Sequence, residues 1–116
     1  MKEETVYFDN IVDDIVYYIG TNAADNFATI DKGTPEDYWF HAKDMSSCHV
    51  VVKIPEGIDK QGLRTIIKRG ALICKQNTSK LKVMDNIEFI YTKLKNVTKT
   101  DIPGQVTTIK EKTIVL

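Results

Sequence analysis

The chain has little cysteine, proline and glycine and no long apolar run, and each shortage excludes a class of protein. Two cysteines among 116 residues are too few for the disulfide framework of a small secreted domain. No apolar stretch approaches the roughly 18 residues of a membrane-spanning helix, and the charged residues 1–5 do not lead into a signal-peptide core. Three prolines and six glycines are too few for a collagen-like or low-complexity chain. We therefore expect a protein of the cytoplasm, or alternatively the nucleus, without membrane contact.

The formal net charge is zero, but the charges divide unevenly along the chain. Residues 1–59 carry 4 Lys or Arg and 12 Asp or Glu, a balance of −8. Residues 60–99 carry 10 Lys or Arg and 2 Asp or Glu, a balance of +8. This division predicts an acidic and a basic surface on one small body. In the alternative, the two segments interleave in the fold and their charges mix.

The pattern of apolar residues predicts one α+β domain over residues 1–116, with a mostly antiparallel or mixed sheet. One long helix is expected at about 59–76, capped by Asp59, and one short helix at about 22–31. Strands are expected at residues 5–8, 15–19, 37–44, 48–54, 82–84 and 87–92, and residues 105–109 and 113–116 are expected to form a closing hairpin. The first two strands are also expected to pair as a hairpin.

The only Trp and both His residues lie within a dozen positions of one another. Side chains alternate across a strand, so Trp39, His41 and Lys43 share one face, and His49 and Lys53 join them if the next strand pairs in the obvious register. Aromatic rings beside cations on an open face are typical of proteins that bind single-stranded nucleic acid. In the alternative, each histidine only holds the fold together through a backbone hydrogen bond.

Catalytic and metal chemistry have weaker support from the same segment. Cys48 and His49 are neighbours on a strand and point to opposite faces, so they cannot form a nucleophile–base pair, and Cys48 is expected in the core. The spacing of His41, His49, Cys48 and Cys74 matches no zinc motif, and no nucleotide-binding motif is present. We expect no catalytic residues, no metal and no cofactor.

Two further segments are candidates for contact with phosphate. Lys93, Lys95 and Lys99 alternate with polar residues that include Asn96, a composition that can follow a phosphate backbone and that also suits a solvated loop. Asn22 stands at the start of the short helix, where backbone N–H groups are free to meet an anion. One glycine before it, Gly20, is weak evidence for such a site.

Three segments together resemble the NFACT-R domain, the C-terminal module of the NEMF and RqcH proteins of ribosome-associated quality control. They are residues 20–26, residues 37–52 with the Asp-Tyr-Trp-Phe-His-Ala-Lys-Asp run, and residues 91–106. Their order and spacing cover nearly the whole chain. The chain is identified as a member of this family, and as similar to the small eukaryotic NFACT-R proteins that carry a coiled-coil tail.

The resemblance implies an RNA-binding role, with tRNA the partner of the full-length proteins on the stalled large ribosomal subunit. Carried onto this chain, it implies nucleic-acid contacts at Asn22, Asn26, Trp39, His41, Lys43, His49, Lys93, Lys95, Asn96 and Lys99. Lys53 joins these candidate contacts from the strand register alone. Thr21 stands where the family often has Arg or Lys, which removes one phosphate contact. The other family domains are absent from these residues, so we do not expect the chain to perform the whole tail-elongation function alone.

The sequence thus predicts a non-catalytic module that binds nucleic acid, with RNA such as tRNA or rRNA favoured over DNA. This prediction assumes that the lysines of residues 60–99 gather around the strand that carries Trp39. The ribosome or a protein is a possible further partner. One alternative is an adaptor that binds a protein through the acidic residues before position 60. A small hydrolase that uses His41 or His49 has the least support, because no positioned nucleophile accompanies either residue.

Overall fold

The computed structural model describes all 116 residues as eight strands and two helices. In chain order these are β1 (Lys2–Phe8), β2 (Asp13–Gly20), α1 (Ala23–Asp31), β3 (Tyr38–Ala42), β4 (His49–Val52), α2 (Lys60–Gln76), β5 (Glu88–Lys93), β6 (Val97–Lys99), β7 (Val106–Thr108) and β8 (Lys112–Val115). A short 3-10 helix, Leu94–Asn96, joins β5 to β6. The predicted fold class, α+β, is confirmed.

Six strands form one sheet in the order β1-β2-β4-β3-β5-β8, and every neighbouring pair is antiparallel. One face of this sheet packs against α2 and holds the main core. Phe40, Val50 and Val52 from the central strands meet Ile66 and Ala71 of α2 there. Burial of these apolar side chains supplies most of the stabilisation of the fold.

The opposite face is covered by α1 and by a separate two-stranded sheet of β6 and β7. A second, smaller core forms on this side from Trp39, Val51 and Leu94. The turn between β6 and β7 reaches back to the start of α1, where Gly104 has a φ of +79° and a Cβ would lie 2.7 Å from Ala23 Cα. Only glycine fits this close approach without strain.

Both helices lie where the sequence predicts them. The Asn22 side chain accepts a hydrogen bond from the Asp25 N–H at 2.9 Å and caps α1. The Asp59 side chain accepts from the Gly62 N–H at 2.7 Å and caps α2. Such caps stabilise a helix by about 1 kcal/mol. The predicted β1–β2 hairpin is also confirmed.

Two strand predictions are wrong. Residues 82–84 form turns between α2 and β5, because Lys82 and Met84 hydrogen-bond locally to Thr78 and Leu81. The last two strands do not pair with each other: β7 pairs with β6, and β8 pairs with β5 at the edge of the large sheet. The chain changes direction at Lys110, whose φ is +56°, and so crosses from the small sheet to the large one.

Candidate nucleic-acid interface

Trp39, His41 and His49 do come together, but not on an open face. The Trp39 and His41 rings are parallel with centroids 5.6 Å apart, and the His49 ring stands edge-on to both. Trp39 is 2% exposed and His49 is 4% exposed. Ile30 of α1 and Leu94, Val97 and Val106 pack over Trp39. The prediction of an exposed stacking face is therefore wrong for the indole, because the small sheet and α1 cover it.

The hydrogen bonds of these rings are well defined. The Trp39 Nε1–H donates to His49 Nδ1 at 3.2 Å. His41 Nδ1 lies 2.6 Å from the Ala42 carbonyl oxygen and donates to it, since a carbonyl can only accept. Neither histidine is hydrogen-bonded to a Ser, Thr or Cys side chain. His41 thus has the backbone hydrogen bond of the alternative above, whereas His49 is bonded to the Trp39 side chain instead, and one nitrogen of each ring is left over.

Both imidazoles are held in the neutral form. Burial, and secondarily the nearby His41, lowers the pKa of His49 to about 3. Burial also lowers the pKa of His41, against the smaller opposing effect of its bond to the Ala42 carbonyl. Neither ring can therefore serve as a cation for phosphate at neutral pH.

The lysines of residues 60–99 do not gather around Trp39. Five of these cations lie on α2, which covers the other face of the sheet: Lys60, Arg64, Lys68, Arg69 and Lys75. The prediction of one continuous basic area around the tryptophan strand is wrong, because the helix that carries half of these cations packs on the opposite side of the sheet. None of these five cations forms an ion pair with a carboxylate.

Three other predicted lysines lie beside carboxylates. Lys99 lies 2.7 Å from Asp31, Lys43 lies 3.7 Å from Glu88, and Lys53 lies 4.0 Å from Asp37. Lys53 also donates to the Lys32 carbonyl. The Lys99–Asp31 and Lys43–Glu88 pairs join the two charged segments, so these segments interleave over part of the surface, as in the alternative above.

Asn22 and Asn26 lie at the start of α1, away from the lysines of α2. Asn22 is used as the helix cap. Asn26 Oδ1 is buried without a hydrogen-bond partner, beside Gly20, where a Cβ would lie 2.7 Å from it. Whether either residue contacts nucleic acid stays a prediction.

A cleft at the end of β5 brings tyrosines and lysines together. We call it the tyrosine–lysine cleft; its volume is about 260 Å³ and it is lined by Tyr38, Tyr91, Thr92, Lys93, Lys95, Asn96, Lys110 and Lys112. The two tyrosine rings are half-buried, with centroids 6.0 Å apart. Lys93, Lys95 and Asn96 were predicted from the sequence. The tyrosines and the last two lysines were missed, since only the pairing of β3, β5 and β8 brings them there.

The charge of this cleft is strongly unbalanced. Lys93 and Lys95 both donate to the single carboxylate of Glu36, at 2.6 and 3.2 Å. These bonds lower the pKa of Glu36 and raise that of Lys93. Lys110 and Lys112 are exposed and form no ion pair. Four lysines and two aromatic rings thus line the cleft, and Glu36 is the one carboxylate paired with any of these lysines, which is a favourable environment for a polyanion that has flat bases.

Cys48 lies in the main core, on the opposite side of β4 from His49, as predicted. Its Sγ lies 3.7 Å from the Sγ of Cys74, and both thiols are free and buried. Both belong to the main core and not to the smaller one.

No helix of the structure is both long and apolar enough to cross a membrane.

Comparisons with known proteins agree with this architecture. Residues 4–109 match the family model described as the NFACT protein RNA binding domain. Coiled-coil domain-containing protein 25 of Danio rerio is 36% identical over 85 residues, which is 72% of this chain and 41% of that protein. Its homologue in Dictyostelium discoideum is 30% identical over 96 residues, 82% of this chain and 47% of that protein.

The chain therefore spans less than half the length of these curated relatives. A solved structure of the C-terminal part of the fibronectin/fibrinogen-binding protein from Streptococcus suis superposes on the whole chain, with a TM-score of 0.77 and 22% identity. The superposed region is 45% of that structure's chain. This likeness shows a shared fold. The match to the family model over nearly all of the sequence shows more: the chain belongs to the NFACT-R family of RNA-binding domains.

Proposed function

We propose that this protein binds RNA through the tyrosine–lysine cleft, without catalysing a reaction. The observation that carries the proposal is the arrangement of two half-buried tyrosine rings beside four lysines and a single carboxylate. Lysines neutralise phosphates without regard to sequence, and tyrosine rings stack on unpaired bases. The family to which the chain belongs is one of RNA-binding domains, which supports nucleic acid as the partner.

The cations of α2 lie on the same side of the large sheet as the tyrosines of the cleft. Tyr38 and Tyr91 pack against the main core, which is also the side covered by α2. Lys60, Arg64 and Lys68 are exposed on that helix and form no ion pair. A structured RNA such as tRNA or rRNA is large enough to contact both the helix and the cleft. We therefore favour a structured RNA, of the ribosome or bound to it, and a role in ribosome-associated quality control within the cytoplasm.

The test is a titration of labelled tRNA at two salt concentrations, followed by fluorescence anisotropy, with DNA of the same sequence as a comparison. Binding is expected to weaken steeply with salt, because released counterions drive it. The double variant Lys110→Glu/Lys112→Glu should weaken binding and lower the salt slope by about 2. These two lysines are chosen because they form no ion pair, so their replacement breaks no contact with Glu36.

The matched control is Lys80→Glu/Lys82→Glu, which makes the same change in net charge on exposed lysines outside the cleft. We expect this control to have a smaller effect than the cleft variant. No binding of tRNA at low salt, or equal losses in the two double variants, would contradict the proposal.

A second candidate function is an interaction with a basic protein through the hairpin of β1 and β2. Glu3, Asp9, Asp13 and Asp14 are exposed there, and none forms an ion pair. Such a partner would remain bound in a pull-down after nuclease treatment and would be lost when these carboxylates are replaced by amides. A partner released by nuclease would instead favour RNA as the link.

A further inference from the structure

A cavity of about 500 Å³ lies on the face of the large sheet that carries Trp39. We call it the imidazole pocket; it is lined by Trp39, His41, Ala42, Asp44, Met45, His49, Ile90, Gly104, Gln105, Val106 and Thr108. The turn before β7 forms one wall of the pocket, and the rings of Trp39, His41 and His49 form the other. The pocket is separate from the tyrosine–lysine cleft, which has none of these residues.

The hydrogen bonds already described fix the proton on each imidazole. An indole N–H can only donate, so His49 Nδ1 accepts from Trp39 and the proton of the neutral His49 ring sits on Nε2. A carbonyl oxygen can only accept, so His41 Nδ1 carries the proton and His41 Nε2 is left with a lone pair. The two rings therefore differ: His49 has an N–H to donate and His41 has an acceptor.

Both of these Nε2 atoms lack a partner within the protein. The only side-chain hydrogen bonds of the two histidines are those to Trp39 and to the Ala42 carbonyl. The ring centroids of His41 and His49 are 5.0 Å apart, and the rings do not hydrogen-bond to each other. A donor and an acceptor thus lie side by side in the wall of one cavity, where a ligand can satisfy both.

The charges around the pocket decide which ligand it suits. No Lys or Arg lines it, and the one charged side chain in its wall is the carboxylate of Asp44. A phosphate would meet no cation here and would be repelled by that carboxylate. An uncharged planar group is favoured, since the half-buried His41 ring lies in the pocket wall, stacked parallel to the buried Trp39 ring, and offers flat aromatic surface.

We propose that the imidazole pocket binds a single unpaired nucleobase, whose edge accepts a hydrogen bond from His49 Nε2–H and donates one to His41 Nε2. Each base has neighbouring donor and acceptor atoms on its edge, and recognition of splayed-out bases by such edges is common in RNA binding. The inference deepens the proposed function and rests on it, because the bound RNA supplies the base. The lysines contact phosphate on one side of the sheet and the histidines contact a base on the other.

The test uses the single tryptophan as a reporter. The chain has one Trp, so its ¹⁵N–¹H spectrum has one indole resonance, and that N–H is bonded to His49. The full chain is titrated with adenosine, cytidine, uridine or guanosine, which have no phosphate. At least one nucleoside is expected to shift the indole resonance saturably, whereas ribose 5-phosphate is expected to leave it unchanged.

Two variants separate the two hydrogen bonds from the packing. His41→Phe keeps a ring against Trp39 and removes the acceptor. His49→Asn keeps an acceptor near the position of Nδ1 for the indole and removes the Nε2 donor. Each should weaken nucleoside binding about tenfold, the loss of one hydrogen bond to a buried group. Lys110→Glu/Lys112→Glu is the matched control and should leave nucleoside binding unchanged.

Three results would overturn the inference. The first is the absence of any indole shift up to the solubility limit of all four nucleosides, and the second is an equal shift with acetamide, which would indicate an amide-binding pocket for protein ligands. The third is an unchanged nucleoside affinity in both histidine variants when they are folded. If nucleosides fail while tRNA still binds in a Lys110- and Lys112-dependent way, the inference fails and the proposed function stands. If tRNA does not bind at low salt while nucleosides do, the proposed function fails instead.

Discussion

The neutral His49 ring should make the free energy of unfolding depend on pH. The substitution His49→Asn should remove this part of the pH dependence. The folded protein keeps this ring unprotonated down to a pKa of about 3, whereas the unfolded chain binds a proton near the ordinary value of 6.5. The unfolded state therefore holds more protons between these two pH values. The stabilisation is complete above pH 6.5 and is lost as the pH falls from 6.5 toward 3.

The magnitude follows from the shift. A difference of about 3.5 pKa units corresponds to about 5 kcal/mol, at about 1.4 kcal/mol for each pH unit. Because His49 is almost fully buried, solvent screening reduces this figure little. The loss is comparable to the whole free energy of unfolding of a small domain, about 5–15 kcal/mol.

The assay compares wild type with His49→Asn by urea unfolding at several pH values between 4 and 6. The variant cannot be protonated at this position and retains an acceptor for the Trp39 indole. The difference in free energy of unfolding between the two proteins should shrink by about 1.4 kcal/mol for each unit of pH decrease. Carboxylates common to both proteins cancel in this difference. A difference that stays constant from pH 6 to pH 4 would refute the reasoning.

Three further substitutions test the core and its polar contacts by chemical denaturation. Tyr17→Phe removes the buried hydrogen bond from the Tyr17 hydroxyl to the Ile66 carbonyl, 2.8 Å long, and should cost about 1 kcal/mol, the net value of one such bond; an unchanged midpoint would show that this bond contributes nothing to stability. Gly70→Ala places a Cβ 2.4 Å from the Phe40 ring and should cost about 1–3 kcal/mol, despite the better helix propensity of alanine; a stabilised variant would show that the ring moves freely. Asp37→Ala removes a buried carboxylate that accepts from two backbone N–H groups and one hydroxyl, and should cost at least about 2 kcal/mol, with Asp37→Asn less harmful; equal losses in the two variants would argue against a role for those bonds.

Much of the local structure could be predicted because its signals are local. The helical spacing of apolar residues and the cap at Asp59 gave α2 nearly residue for residue. The alternation along β4 placed Cys48 and His49 on opposite faces, and the structure agrees. These predictions need only the backbone geometry of a helix or a strand.

The position of the basic residues could not be predicted in this way. Trp39 is covered by Val97 and Val106, which are distant in sequence and meet it only after the sheet is formed. Glu36 pairs with Lys93 and Lys95 across 57 and 59 residues. Charge counted along the chain therefore says little about charge on the surface.

Only part of the candidate site could be predicted, because some of its residues are distant in sequence. Lys93, Lys95 and Asn96 belong to one segment with a recognisable composition, and they do line a cleft. Tyr38 comes from β3, Lys112 from β8 and Lys110 from the turn before β8, and the erroneous closing hairpin placed the two lysines elsewhere. The pairing of β8 with β5 brings them together.

The sequence by itself determined the two helices, the alternation of the central strands and the family, since each depends on residue types at short, regular spacings. Only the tertiary structure decided that α2 carries its cations away from Trp39, and that two neutral histidines share a pocket. The physical reason is that a sheet has two faces: the residue pattern says which side chains share a face, but the packing of helices and strands onto each face decides what remains exposed.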